Sequence, residues 1–129
     1  MNLRQEAFST YRDLREWLDQ VEKLGELKVV RGAHWDLEMG GLAEIVAREA
    51  KGVAPALLFD EIGGLPRGHR ALFGQLDSVR RLALTLGLSL DQPQRVALVR
   101  ACRDKLSAME LLPPRHVERG KVLENVDEG

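Results

Sequence analysis

Histidines are the residues of this chain that could most readily bind a metal, and they are far apart in the sequence: His34, His69 and His116. None of them has a second ligand-type residue at the helical or turn spacing of a metal motif. Each lies in a predicted turn or edge, where a solvated or backbone-bonded imidazole is the simpler interpretation. We therefore predict no metal site.

Cys102 is the only cysteine, which excludes an intramolecular disulfide and a cysteine-rich zinc cluster. It lies at the boundary between the apolar and polar faces of a predicted helix, with no histidine nearby in the sequence. A small packed side chain is therefore favoured over a nucleophile. Unpaired cysteine usage fits a reducing compartment, and the first residues lack the apolar run of a secretory signal, so we expect a cytoplasmic protein.

Two carboxylates, Asp60 and Glu61, follow a predicted buried strand and could form an acid/base pair in a cleft. Adjacent strand residues face opposite sides of a sheet, so these two cannot easily share one site. Three glycines follow, Gly63, Gly64 and Gly68, but this segment lacks the Lys-Ser/Thr ending of a phosphate loop and the spacing of a dinucleotide fingerprint. The glycines therefore predict a surface turn.

Basic side chains gather in two neighbouring stretches: Arg67, His69, Arg70, Arg80 and Arg81. They could bind an anion or nucleic acid, but aromatic residues make up only 5% of the chain, which leaves few rings to stack on bases. The whole chain has 19 Lys and Arg against 20 Asp and Glu, so no global field attracts nucleic acid. We predict a solvated or domain-facing basic surface, and no catalytic, cofactor-binding or metal-binding residue in the chain.

The elements that position these residues belong to a small soluble chain of 129 residues and 14.4 kDa. Hydrophobic residues make up 44% and charged residues 30%, a composition typical of a folded domain and too interrupted by charge for a membrane span. Nothing here suggests a second large domain.

In the first half of the chain, helix and strand patterns alternate. Residues 10–24 have helical spacing, with a Thr10–Asp13 capping box and a stop at Gly25, and residues 26–32 read as a strand. The apolar residues of this first helix are Leu14, Trp17, Leu18, Val21 and Leu24.

A second helix is predicted within residues 34–52, starting at or near Asp36 and stopping at Gly52. Its apolar stripe is Leu42, Ile45, Val46 and Ala50. The adjacent Gly40 and Gly41 predict an irregular first turn or a close backbone approach.

The continuous apolar run at residues 53–62 predicts a central strand covered on both faces, and residues 71–74 could form its returning partner. Two further helices follow. One is capped by Asp77 or Ser78 and closed by Gly87, and the other is capped by Asp91. The predicted fold is α+β of the α/β type, a small mixed sheet flanked by three to four helices.

Pro113 and Pro114 bar a helix at the end of the pattern, and the two strand-like runs after them predict a connector. We therefore expect a domain at residues 1–112 and a connector at residues 113–129. The connector should lead toward a further domain, so that the fold continues past residue 129.

Five segments in order, at residues 11–30, 34–49, 55–74, 78–88 and 113–129, resemble the amino-terminal domain of the UbiD-like family. This family comprises decarboxylases that act on aromatic and α,β-unsaturated acids with prenylated flavin mononucleotide (FMN). The segments read YRDLREWLDQVEKLGELKVV, HWDLEMGGLAEIVARE, PALLFDEIGGLPRGHRALFG, SVRRLALTLGL and PPRHVERGKVLENVDEG.

The resemblance implies a larger, homo-oligomeric enzyme in which this domain packs beside a split-barrel domain. That neighbouring domain would hold prenylated FMN, a divalent metal (Mn) and a monovalent cation (K), together with the family's metal ligands and catalytic Glu-Arg-Glu set. None of those residues can be carried onto a position of this chain. Asp36, Glu38, Arg80 and Arg81 match recurrent family positions, for which we expect capping or interdomain contacts. The alternative is a free-standing, non-catalytic subunit or interaction module of the same fold.

Overall fold

The computed structural model describes residues 11–89, 94–117 and 120, and within them it contains three strands and four helices. In chain order these are α1 (Leu14–Lys23), β1 (Leu27–Arg31), α2 (Met39–Glu49), β2 (Ala56–Asp60), β3 (Ala71–Phe73), α3 (Val79–Thr85) and α4 (Arg95–Ala108). The predicted α+β class with a small mixed sheet is confirmed.

The sheet has the order β1-β2-β3. β1 and β2 are parallel, with Val29 opposite Leu58, and α2 makes the crossover between them. β3 returns antiparallel to β2, with Leu72 opposite Leu58, which confirms the predicted returning strand. The carboxyl ends of β1 and β2 therefore lie side by side at one end of the sheet.

β2 lies at the centre of the core, as its continuous apolar run predicts: its first four residues are buried. Side chains alternate along β2, so Leu58 packs with the α1 and α3 residues while Leu57 and Phe59 pack with the α2 residue Met39. A smaller apolar cluster joins α3 to α4 through Leu98.

α1 begins one turn later than the capping-box pattern predicts. Asp13 is the N-cap, and its carboxylate accepts hydrogen bonds from the backbone N–H groups of Arg15 and Glu16. Because Asp13 caps the helix, the predicted role of the Thr10–Asp13 box is wrong, and Thr10 itself lies outside the described residues. Gly25 ends α1 at φ +73°, a left-handed conformation that glycine adopts without strain, as predicted.

The sheet-facing stripe of α2 differs from the predicted one. Met39 is buried and Val46 is half-buried against the core, whereas Leu42 and Ile45 are 37% and 58% exposed. The prediction was correct for Val46 and wrong for Leu42 and Ile45, because the helix offers two apolar stripes and periodicity alone does not say which one meets the sheet.

The start of α2 agrees with the prediction, whereas its end does not. Glu38, two residues after Asp36, occupies the N-cap position, and the helix ends at an extended Ala50, so Gly52 is not its stop. Gly40 and Gly41 lie within the regular helix, and a Cβ at either would meet nothing within 4 Å, so neither marks a close approach.

Ser78 caps α3 by accepting a hydrogen bond from Arg81 N at 3.0 Å, and Gly87 closes the helix at φ +60°, both as predicted. α4 begins at Arg95 with Gln94 in the N-cap position. The predicted cap at Asp91 lies outside the described residues.

Residues 109–117 form neither helix nor strand. Of the predicted strand-like runs, His116 and Val117 are described and belong to no strand, while residues 121–129 lie outside the described part. No helix among the described residues is both long and apolar enough to cross a membrane.

Candidate functional site

The three histidines lie in separate places. His34 follows β1, where its Nδ1 accepts a hydrogen bond from Asp36 N at 3.3 Å. His69 is exposed, with Nδ1 3.0 Å from the carbonyl oxygen of Pro66, and His116 is exposed in the segment after α4. Within residues 11–89, 94–117 and 120, no three His, Cys, Asp or Glu side chains come together as a metal-binding group.

The most elaborate local geometry lies where β1 and β2 end. Past β1, His34 forms a parallel bridge with Gly63, and Trp35 N donates to Gly63 O at 3.2 Å. The ring of His34 stacks on that of Trp35, with centroids 6.3 Å apart. We call residues His34, Trp35, Gly63 and Gly64 the His34–Trp35 corner.

Glycine is required at this corner. Gly64 has φ +85°, and a Cβ there would lie 2.9 Å from both His34 Nε2 and Trp35 Cδ1. The glycines therefore do more than form a surface turn, since they let two aromatic rings rest against the backbone. The indole of Trp35 is held in place in this way although the residue is 54% exposed.

Two side chains at or next to the His34–Trp35 corner accept hydrogen bonds from nearby backbone: His34 and Glu38. Glu38 Oε2 accepts a hydrogen bond from His34 N at 2.8 Å. This carboxylate therefore stabilises the turn before α2 and makes no side-chain cap to the helix. Because the imidazole and this carboxylate both bond to nearby backbone, the corner positions an exposed indole rather than a reactive group.

Asp60 and Glu61 do not follow the strand alternation assumed for them. β2 ends at Asp60, and Glu61 lies beyond it in a left-handed conformation with φ +50°. Asp60 Oδ1 accepts a hydrogen bond from Glu61 N at 2.9 Å. The Asp60 carboxylate thus stabilises the turn out of β2.

The predicted basic surface is only partly correct. Arg67, His69 and Arg70 are exposed in the loop between β2 and β3, and Arg80 is half-buried. Arg81 is completely buried, so its assignment to a solvated or domain-facing patch is wrong. The reason is its place on α3, three residues before Leu84 on the stripe that faces the core.

Arg81 belongs to a buried polar cluster that sequence analysis missed, formed with Glu26 and Ser78. Arg81 Nη1 donates to Glu26 Oε2 at 2.9 Å, and the Ser78 hydroxyl donates to the same oxygen at 2.6 Å. Arg81 Nη2 donates to the carbonyl oxygen of Ala54 at 2.8 Å. This cluster connects α3 to the start of β1 and to the segment that precedes β2. It lies at the amino-terminal ends of these two strands, and the His34–Trp35 corner lies at their carboxyl ends.

A buried charge is tolerated only when it is paired and hydrogen-bonded, and most of the polar atoms of this cluster are. The exception is Arg81 Nε, which has no acceptor among the described residues. The only sequence signal for the cluster was an arginine on the apolar stripe of α3, because Glu26 lies 55 residues away along the chain.

Cys102 is half-buried on α4 and packs in the apolar cluster between α3 and α4, consistent with the predicted packed side chain. The described surface includes two small clefts that bear on ligand binding. One of about 120 Å³ is lined by α2, by the strand residues Leu57 and Phe73 and by loop residues such as Asp77, and one of about 220 Å³ lies over Ile62 and Arg67.

Comparison with known families identifies the family to which this domain belongs. Residues 18–99, more than half of the chain, match the 3-octaprenyl-4-hydroxybenzoate carboxy-lyase N-terminal domain, and the chain belongs to that UbiD family. The resemblance seen in the sequence is thereby confirmed.

Among solved structures, the chain is similar to the vanillic acid decarboxylase of Sedimentibacter hydroxybenzoicus (ShVdcCD), determined in an open form with truncated ShVdcD. The TM-score is 0.68 at 23% sequence identity, with 81% of this chain and 22% of that chain covered. At this identity the likeness establishes the fold. The chain spans about a fifth of the length of that decarboxylase chain.

Proposed function

We propose that this chain is the amino-terminal domain of a UbiD-like carboxy-lyase that reversibly decarboxylates aromatic or α,β-unsaturated acids with prenylated FMN. The observation that carries the proposal is the family match over residues 18–99. It runs from inside α1 to inside α4 and includes every strand of the sheet. The role we assign to the chain is structural, as one domain of a larger enzyme.

Prenylated FMN does not fit the two clefts described above. Pockets for cofactor-sized ligands have volumes of roughly 300–1,000 Å³, whereas these clefts have about 120 and 220 Å³. Arg67 is the only basic residue that lines either of them. The family resemblance assigns the flavin, and the Mn and K ions expected with it, to another domain of the enzyme, and the small size of these two clefts supports that assignment.

The test uses the 129-residue chain with a second polypeptide that carries the flavin-binding part of the same enzyme. Each is incubated with reduced prenylated FMN and Mn²⁺, alone and together, and is then desalted. Flavin absorbance measures binding, and release of CO₂ from a panel of aromatic and α,β-unsaturated acids measures activity. We expect bound flavin only in samples that contain the second polypeptide, and full activity only in the mixture.

Two results would contradict the proposal. Stoichiometric flavin retained by the chain alone would place a cofactor site within it. A second polypeptide that is fully active without the chain, and does not bind it, would favour the alternative of an independent interaction module.

A further inference from the structure

One flank of α4 carries apolar side chains that are exposed in the described part of the chain. The helix packs on α3 through Leu98, with Ala101 and Cys102 against the same cluster. Val96, Val99 and Leu106 are 61%, 66% and 68% exposed, and the last two lie beside Cys102 by helical spacing, at the rim of this contact. Their spacing of three and seven residues places them on one flank of the helix. We call these three residues the α4 stripe.

The apolar character continues beyond the helix. Met109 turns into an extended conformation at the end of α4, and residues 109–117 follow without a helix or strand of their own. Four apolar residues in this segment are exposed by 56–90%: Met109, Leu111, Leu112 and Val117. Single exposed apolar residues are ordinary, but a series this long along one stretch of chain is typical of an interaction surface.

The charges around the stripe are mainly basic. On the same flank, Arg103 lies between Val99 and Leu106 by helical spacing, and Arg100 lies beside it. Asp104 is the only acidic residue of α4, and its oxygen is 3.9 Å from Arg103 Nε in an exposed pair of little energetic weight. A matching partner surface is therefore apolar with carboxylates at its rim.

We infer that the α4 stripe and residues 109–117 form the face on which the remainder of the carboxy-lyase polypeptide packs. This inference rests on the proposed function. In a protein built on an amino-terminal domain of this family, the remaining sequence lies on the carboxyl side, where residues 109–117 lead. In the similar decarboxylase, the matched region is 22% of the chain, so a large body of protein is available to cover such a face.

Covalent connection favours this face over the competing one. The outer side of α2 also carries exposed apolar residues, Leu42 and Ile45, but no described segment continues its surface toward the carboxyl side. A tethered domain is present at high effective concentration near its tether, so the apolar surface next to the connection is the one it meets first.

The experiment measures binding of the 129-residue chain to a separate polypeptide that carries the rest of the enzyme, by isothermal titration calorimetry. Val99→Glu and Leu106→Glu place a carboxylate on the stripe, and Ile45→Glu on α2 is the control at similar exposure. All three positions are exposed, and circular dichroism with thermal unfolding checks that each variant keeps the fold. Light scattering of the chain alone measures self-association.

We expect either stripe variant to weaken binding by about tenfold or more, because a charge is desolvated against an apolar surface. The control should change the Kd by no more than about twofold, as surface substitutions outside an interface do. Unchanged binding by both stripe variants would overturn the inference and leave the proposed function standing. Self-association of the chain that Val99→Glu abolishes would also overturn the inference, because a second copy would then occupy this face. If the wild-type chain failed to bind the second polypeptide, both this inference and the proposed function would be contradicted.

Discussion

Arg81 and Glu26 form an ion pair in the interior, with Nη1 of the arginine 2.9 Å from Oε2 of the glutamate and the arginine side chain fully buried. The pair connects α3 to the start of β1, two elements that are distant in sequence. Its partners also include the Ser78 hydroxyl and the Ala54 carbonyl. The orientation of α3 on the sheet thus depends on charge as well as on apolar packing.

We predict that Glu26→Gln or Arg81→Met lowers the free energy of unfolding by about 3–5 kcal/mol, because each leaves a buried partner uncompensated. The double variant should lose less than the sum of the two, since removing both partners leaves no unpaired charge. Denaturant unfolding of the four proteins gives the coupling. Arg48→Met breaks the exposed pair with Glu44 and should cost no more than about 1 kcal/mol. Strict additivity of Glu26→Gln and Arg81→Met would argue against the buried pair.

A second prediction concerns the centre of the core. Leu58, on β2, packs against residues of α1 and α3, so Leu58→Ala should cost roughly 2–5 kcal/mol of unfolding free energy. Ile45→Ala, on the exposed face of α2, should stay within about 0.5 kcal/mol. Chemical denaturation of both variants measures the difference. If Ile45→Ala lost as much unfolding free energy as Leu58→Ala, Ile45 would have to be buried, contrary to its exposure in the structure.

The sequence predicts well the elements in which apolar pattern and end signals agree. The run at residues 56–60 is the buried strand, and the stripe with Trp17 and Val21 meets the core between a cap and Gly25. Sequence could not choose between the two apolar stripes of α2, because the choice depends on the sheet that the helix meets. Nor could it find the Arg81–Glu26 pair, since local sequence does not reveal a partner that only folding brings near.

A third prediction compares two glycines. Gly64→Ala should lower stability by more than about 1 kcal/mol, because it combines a left-handed backbone with a Cβ that contacts His34 and Trp35 too closely. Gly40→Ala lies in open space within α2 and should raise stability by about 0.5–1 kcal/mol through helix propensity. Thermal unfolding of both variants measures these opposite signs. A stabilising Gly64→Ala would show that the His34–Trp35 corner is not packed against the backbone.

A fourth prediction concerns acid pH. Hydrogen bonds from the side chain and backbone of Arg12 lower the pKa of Glu16, which lies in the first turn of α1. A lowered pKa in the folded state adds stability above the pKa of the unfolded chain and loses it as the pH falls through the folded value. Glu16→Gln should therefore reduce the Tm at neutral pH, and this deficit should disappear once both states are protonated. If the lower Tm of Glu16→Gln persisted in acid, the loss would come from side-chain packing and not from the charge of Glu16.

The last prediction concerns the boundary between the domain and its connector. Leu111 and Leu112 are 90% and 87% exposed and Val117 is 61% exposed, so this segment adds almost no apolar burial to the domain. A chain that ends at Leu112 should therefore keep the stability of the full chain. Comparing their thermal unfolding tests this, with Leu58→Ala as the control for a loss of core packing. For a domain near this size, 1 kcal/mol corresponds to roughly 4–8 °C in Tm, so a larger drop on truncation would place residues beyond Leu112 within the cooperative core and move the boundary toward the carboxyl end.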